Sequence, residues 1–277
     1  MTTRSDVEPL SKGLLTPNAP ASAVTVERRS ATGRAALFVR HYWLPRWNLP
    51  PTASLRQEVL EYPTANVVIE SSTAALFRAH RGLSSRVLEG SGWAFGVLLN
   101  PGTARGWTGT SVRGLPDVVP LPVLGVPGTE PMTGAVRLAM ADEDVSAAIA
   151  AFESWLETLP PPDDDARLVA AIVAAVEDDR TILRVEQLAD RFGIGVRHLQ
   201  RLVAGHIGFG PKWLIQRYRL QEAAAMLRER EAPPLARLAA ELGYADQAHF
   251  SREFKAVIGA TPGAYAAHHR TPSPRAS

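Results

Sequence analysis

The rhythm of apolar and polar positions changes character a little past the middle of the chain. Up to about residue 125, apolar residues come in short runs: Ala35-Ala36-Leu37-Phe38-Val39, Asn66-Val67-Val68-Ile69-Glu70 and Trp93-Ala94-Phe95-Gly96-Val97-Leu98-Leu99. Runs of this length, rich in β-branched and aromatic residues and separated by Gly, Pro and Ser/Thr clusters, predict the strands of a small sheet or barrel. Residues 115–128 contain four prolines. They cannot form a regular helix, because proline lacks the amide donor and clashes with the preceding turn. From 141 to 159 the spacing turns helical, with Val145, Ile149, Phe152, Trp155 and Leu156 on one face and Asp142 or Asp144 available as the cap. Pro160-Pro161-Pro162-Asp163-Asp164-Asp165 then stops that helix and offers an aspartate to cap the next. Beyond it the periodicity is helical almost to the end.

The fold class predicted is α+β in two domains: a mainly-β half followed by an all-α half. The boundaries run as a polar, mobile N-terminal segment over 1–24, a β-rich domain over 25–160, a linker over 161–168, a helical domain over 169–268, and a frayed Pro/Ser/Arg-rich tail over 269–277.

The helical half contains an internal repeat. Leu188-Ala189-Asp190-Arg191-Phe192-Gly193 stands 50 positions before Leu238-Ala239-Ala240-Glu241-Leu242-Gly243. Past the glycine the offset becomes 51, aligning Leu199 with Phe250, Arg201 with Arg252, Val203 with Phe254, Gly208 with Gly259, and Gly210-Pro211 with Thr261-Pro262. The second turn is one residue longer. Each copy reads as a short helix ended by a glycine free to adopt a left-handed conformation. A second helix follows, capped strongly by Asp246 in one copy and weakly by Gly195 in the other. Apolar residues on both sides of the turn fix the angle between the helices, leaving the outward face of the second helix free to enter a DNA major groove. That face offers Arg197, Gln200 and Arg201 in the first copy, and Gln247, His249, Ser251 and Arg252 in the second. Arginine can read guanine and glutamine can read adenine with paired hydrogen bonds. A helix over 211–229 joins the copies, and its length could hold them roughly one turn of DNA apart, about 34–36 Å. On it, Trp213, Leu214 and Leu220 read as core. Lys212, Arg217 and Arg219 either neutralise phosphates or are simply solvated, and Lys255 is a further candidate phosphate contact.

At these residues the sequence resembles the AraC-type family of bacterial transcription regulators. The second copy carries the pattern Gly243-Tyr244, Gln247, His249-Phe250, Arg252, Phe254-Lys255, Gly259, Thr261-Pro262 and Tyr265, and the first copy agrees with it from Leu188 through Pro211. The resemblance covers about residues 170–270. It implies seven helices, two recognition helices in successive major grooves on one face of the DNA, and control of promoters. It also implies that Arg197, Gln200 and Arg201, and in the second copy Gln247, His249 and Arg252, contact bases or phosphates. Phe250, Phe254, Pro262 and Tyr265 read as core. Gly195 departs from the Ser-like cap usual in the family. Ahead of this domain, His41-Tyr42-Trp43, Glu61-Tyr62-Pro63, Asn66 to Glu70 and Gly92 to Val97 resemble a poorly characterised β-rich domain that precedes some such DNA-binding halves. That likeness implies a cupin-like barrel with a sensing or dimerising role.

Charge and chemistry narrow the reading further. Of 277 residues, 45% are hydrophobic, enough for packed cores. There is no cysteine, which removes disulfides, thiolate metal sites and cysteine nucleophiles. The net charge of +2 hides an asymmetry: residues 166–277 hold 16 Lys+Arg against 11 Asp+Glu, while the first 165 hold 14 against 17. The basic half is the one with the repeat, and its cations are nearly all arginine. Only His41 and His80 fall in the β-rich half, without the spacing of a metal site. No GxSxG, P-loop or GxGxxG stretch is present. Catalytic residues, metals and cofactors are accordingly expected to be absent. Trp43, Trp47, Trp93 and Trp107 either fill the core of the β-rich domain or line an apolar pocket.

The expected function is sequence-specific DNA binding by a transcription factor. Double-stranded promoter DNA is the partner, and an unknown small-molecule effector, RNA polymerase and a second copy of the chain are open as others. No signal peptide or run of about 20 apolar residues is seen, so a cytoplasmic location away from any membrane is expected. Two other classes stand beside this reading: a small-molecule-transforming or metal-binding barrel enzyme with a DNA-binding appendage, and a ligand- or protein-binding adaptor whose helical half no longer binds DNA.

Overall fold

The computed structural model describes residues 23–60, 62–229 and 232–270. Most of the N-terminal segment (1–22) and the last residues of the tail (271–277) lie outside the described residues. The β-rich half contains β1 (Val24–Ser30), β2 (Val39–Asn48), β3 (Ser54–Leu60), β4 (Asn66–Ile69), β5 (Ala74–Phe77), β6 (Leu83–Glu89), β7 (Ser91–Trp93), β8 (Phe95–Leu99), a short helix α1 (Thr103–Thr108) and β9 (Val118–Pro120). These form a seven-stranded antiparallel sheet in the order β1-β2-β8-β4-β5-β9, with β7 also paired to β2, and a separate ribbon of β3 and β6. Among the described residues the two sheets are not hydrogen-bonded into a closed barrel, so the expected cupin-like closure is seen only as a sheet with a ribbon.

Strand alternation sorts this sheet into two faces. Tyr42, Leu44, Val67, Ile69, Phe95 and Val97 are buried on one of them. They pack against Met140, Phe152 and Leu156 of two helices, α2 (Thr129–Ala141) and α3 (Val145–Glu157). Tyr42 donates its hydroxyl to Glu153 at 3.0 Å. Asp144 caps α3 by accepting from the Ala147 amide at 2.9 Å, whereas Asp142 ends α2. The helix α2 was not expected from the sequence. Its buried residues, Met132, Val136, Ala139 and Met140, are diluted by Thr129, Thr133 and Gly134 just after the proline-rich stretch. The apolar run at 35–39 is also not the strand it resembles. Gly33, at φ +55°, opens a 3-10 turn over Gly33–Leu37, and the strand begins only at Val39.

The helical half follows the triple proline at once. Asp163 accepts from the Ala166 amide at 2.8 Å and starts α4 (Asp164–Asp178), so the expected linker is helical from 164 onward. Then come α5 (Val185–Phe192), α6 (Val196–Ile207), α7 (Pro211–Arg228), α8 (Leu235–Glu241), α9 (Gln247–Ile258) and α10 (Pro262–Arg270), giving the seven helices expected. They enclose two separate cores. One contains Leu188, Leu199, Val203 and Leu214, the other Leu238, Phe250, Phe254 and Tyr265.

The halves meet over α4, α6 and α7. Arg40 on β2 holds Glu177 of α4 through both guanidinium nitrogens at 3.0 Å, and Tyr218 of α7 donates to the same carboxylate at 3.2 Å. Burial, followed by the Glu177 charge, pushes the Tyr218 hydroxyl far above its ordinary range, so it stays a donor. The loop between β5 and β6 reaches both helical cores. Ala79 is buried in the first, and Leu83 packs on the second. Between them Gly82 (φ +81°) lies so close to α9 that a Cβ there would stand 3.0 Å from the Ala256 carbonyl oxygen.

On β2, His41 is held neutral. Burial first, then the nearby Arg28 and Arg40, lower its pKa to about 4. The unfolded chain therefore takes up this proton at a higher pH than the native one, and the stabilisation present above pH 6.5 is lost as pH falls towards 4. Chemical denaturation at pH 7 and pH 4.5 is expected to show a smaller loss for His41→Gln than for the unaltered chain. Equal losses would assign the acid sensitivity to other groups.

Candidate nucleic-acid interface

The two helix pairs are built as the repeat predicts, with one difference at the start of each second helix. Gly193 (φ +62°) ends α5, and Gly243 (φ +77°) follows α8. Asp246 caps α9 by accepting from the His249 amide at 2.7 Å, while Gly195 starts α6 with no side-chain cap. The equivalent positions Leu199 and Phe250, and Val203 and Phe254, are all fully buried. Burying these faces turns the other faces of α6 and α9 outward.

On α6, Arg197, Gln200 and Arg201 are exposed along one stripe, three and four residues apart. Arg201 leans on His198, with Nη2 3.1 Å from Nδ1. On α9, Gln247, Arg252 and Lys255 are exposed, whereas His249 and Ser251 are half-buried. The His249 ring packs edge-on against Tyr244 with 5.2 Å between centroids, so part of its surface is already committed to the turn. Lys212, in the first turn of α7, is exposed.

Two arginines proposed from the sequence for phosphates are in the interior. Arg217 is 3% exposed, donates to Gln221 at 3.0 Å and lies over the rings of Tyr62 and Tyr218. Arg219 is 2% exposed and paired with Glu222 at 2.7 Å. Its other guanidinium nitrogen donates to the Val176 and Asp179 carbonyls at the end of α4. Neither can reach a phosphate without unpacking α7, which is buried on most sides by Leu214, Ile215, Leu220, Ala223 and Leu227.

The β-rich half adds cations that the sequence reading did not find. Arg78, Arg81 and Arg113 share a groove with Gln200 and Lys212. Arg78 pairs with Asp117 and stands over the Phe209 ring, 5.7 Å from its centroid, and Arg81 stands 5.2 Å from the same centroid. Arg81 and Arg113 are exposed. No spacing in the chain links them to α6, which lies more than 80 residues further on.

Chemically the surface offers guanidinium and amide donors on two exposed helices, with ammonium and guanidinium groups beside the first. Among the described residues no group of three or more His, Cys, Asp or Glu is placed to hold a metal ion, and no helix is long and apolar enough to cross a membrane.

Two glycine-turned helix pairs with buried inner faces and polar outer faces, joined by one central helix, define a double helix-turn-helix domain. Residues 188–268 match the family model described as a helix-turn-helix domain, and residues 34–119 match one described as a domain of unknown function (DUF6597). Residues 188–268 thus carry a helix-turn-helix domain similar to that of AraC-like transcription regulators. Among curated relatives, an uncharacterized HTH-type transcriptional regulator of Haemophilus influenzae is 33% identical over 94 residues, 34% of this chain and 31% of that one. The HTH-type transcriptional activator RhaS of Escherichia fergusonii is 35% identical over 77 residues, 28% and 27% of the two chains. A putative AraC-like transcription regulator of Streptomyces lividans is 35% identical over 88 residues, 32% and 29%. The matched stretch spans about a third or less of the length of these relatives. Among solved structures, ToxT from Vibrio cholerae aligns over 90% of this chain and 98% of its own at 14% identity, with a TM-score of 0.39.

Proposed function

We propose that the chain is a sequence-specific DNA-binding transcription regulator that places α6 and α9 in successive major grooves of promoter DNA. The observation that carries this is the pair of exposed polar helix faces, each backed by its own buried core. Arg197, Gln200 and Arg201 read bases from α6. Gln247 and Arg252 do so from α9, with His249 and Ser251 at the edge of that contact. Lys212 and Lys255 neutralise phosphates. α7, 18 residues long and so about 27 Å, separates the two contacts. Binding weakens with salt, because each neutralised phosphate releases counterions.

The β-rich half is the sensing domain, joined to the DNA-binding domain at the proline run over 160–162. Its loop through Ala79, Gly82 and Leu83, seated on both helical cores, suits it to bias the relative placement of the two units. We read the chain as having no catalytic role and as working in the cytoplasm on the genome. A second copy of the chain and RNA polymerase are partners consistent with this role. Genome-wide mapping of bound sites tests the proposal. The expected result is enrichment at promoters sharing one sequence motif; a uniform distribution over the genome would refute sequence-specific control.

A further inference from the structure

The face of the seven-stranded sheet opposite α2 and α3 carries a cavity of about 330 Å³, walled on its other side by the β3–β6 ribbon. This lies at the small end of the range of small-molecule sites, roughly 300–1,000 Å³. Part of its wall is two tryptophans that are neither core nor free to move. Trp43 stands opposite Gly96 and Trp47 opposite Gly92 in the strand register. A Cβ at either glycine would fall inside the facing indole, so the rings lie down over bare backbone. Their N–H groups are bound within the protein: Trp43 Nε1 donates to Asn66 at 3.3 Å, and Trp47 Nε1 to the Glu89 carbonyl at 3.2 Å. The apolar faces of the indoles are what remains for a visitor. Trp93 and Trp107, by contrast, pack against the core.

Among the described residues the charges that line the cavity do not cancel. Arg86 and Glu70 pair with each other at 2.6 Å. Arg28 has no ion-pair partner among the described residues, and its Nε is buried without an acceptor. His41 beside it is neutral at ordinary pH. Among the described residues the cavity therefore combines flat aromatic walls with one cation that has no ion-pair partner.

We propose that this cavity binds a flat, largely aromatic molecule bearing one anionic group, its rings against Trp43 and Trp47 and its acid on Arg28. This deepens the reading of the β-rich half as the sensing domain and rests on that reading for its regulatory meaning, though not for binding itself. The test uses the purified full chain without DNA and two fluorescent probes of similar shape, anionic 8-anilinonaphthalene-1-sulfonate and neutral N-phenyl-1-naphthylamine. Saturable one-to-one binding of the anion is expected, about tenfold or more tighter than that of the neutral probe. Arg28→Gln is expected to remove that preference while sparing the neutral probe. Arg28→Lys should restore much of it, which guards against misfolding of the first variant. Trp43→Leu should weaken both probes. Equal affinity for the two probes, unsaturable binding, or anion binding indifferent to Arg28→Gln would overturn the proposal. A chain that binds the anion but no promoter DNA would refute the regulator reading and leave this site standing.

Discussion

Replacing Arg197 and Arg201 together with alanine is expected to weaken binding of the full chain to its operator by roughly 2–6 kcal/mol, about 30-fold to beyond 10⁴-fold. Each arginine that reads a base contributes about 1–3 kcal/mol of discrimination, and the two stand one helical turn apart on the exposed stripe of α6. Their coupling makes a simple sum an upper guide. Stability should change by no more than about 0.5 kcal/mol, since both side chains lie in solvent and support no core. Affinity for unrelated DNA should fall much less, because it rests on phosphates rather than base edges. Fluorescence anisotropy on operator and scrambled duplexes reads both quantities. An equal fall on both would make these arginines phosphate contacts, and no change on either would remove α6 from the interface.

The second large effect is expected from Phe254→Ala. Phe254 is fully buried, with Phe250 and Tyr265 each 5.6 Å from it between ring centroids. Truncating such a ring costs about 3–5 kcal/mol through lost burial and the cavity left behind. Its core contains residues of α7 to α10 and is distinct from the one around α5 and α6. The loss should therefore fall on the second unit, with hydrogen exchange accelerating in α8 to α10 before α5 and α6. Protection of DNA should then shrink to the groove held by α6. Uniform loss across all seven helices would show that the two cores unfold as one.

How far the chain could be read in advance follows from the physics of each segment. The repeat was legible because one buried stripe recurs: Leu199 and Phe250, Val203 and Phe254, and beyond them Ile207 and Ile258 are all interior. The turn glycines were legible because their positive φ suits no other residue as well. The span of α7 was legible too, but the place of its arginines was not, since the helix is buried nearly all round and Arg217 and Arg219 find partners inside the protein. No local pattern distinguishes such an arginine from a solvated one. The tryptophans divided on a feature local sequence does not show, namely that Gly92 and Gly96 lie across the sheet from Trp47 and Trp43. Arg81 and Arg113 come beside Gln200 only through packing between the halves.

The central claim is that α6 and α9 enter two adjacent grooves on one side of the duplex. Hydroxyl-radical footprinting of the full chain on a promoter it occupies tests this at nucleotide resolution. Two protected stretches about 10–10.5 base pairs apart on the same face are predicted, with the one assigned to α6 lost in the Arg197/Arg201 double alanine variant. A single protected stretch, or two on opposite faces, would contradict it.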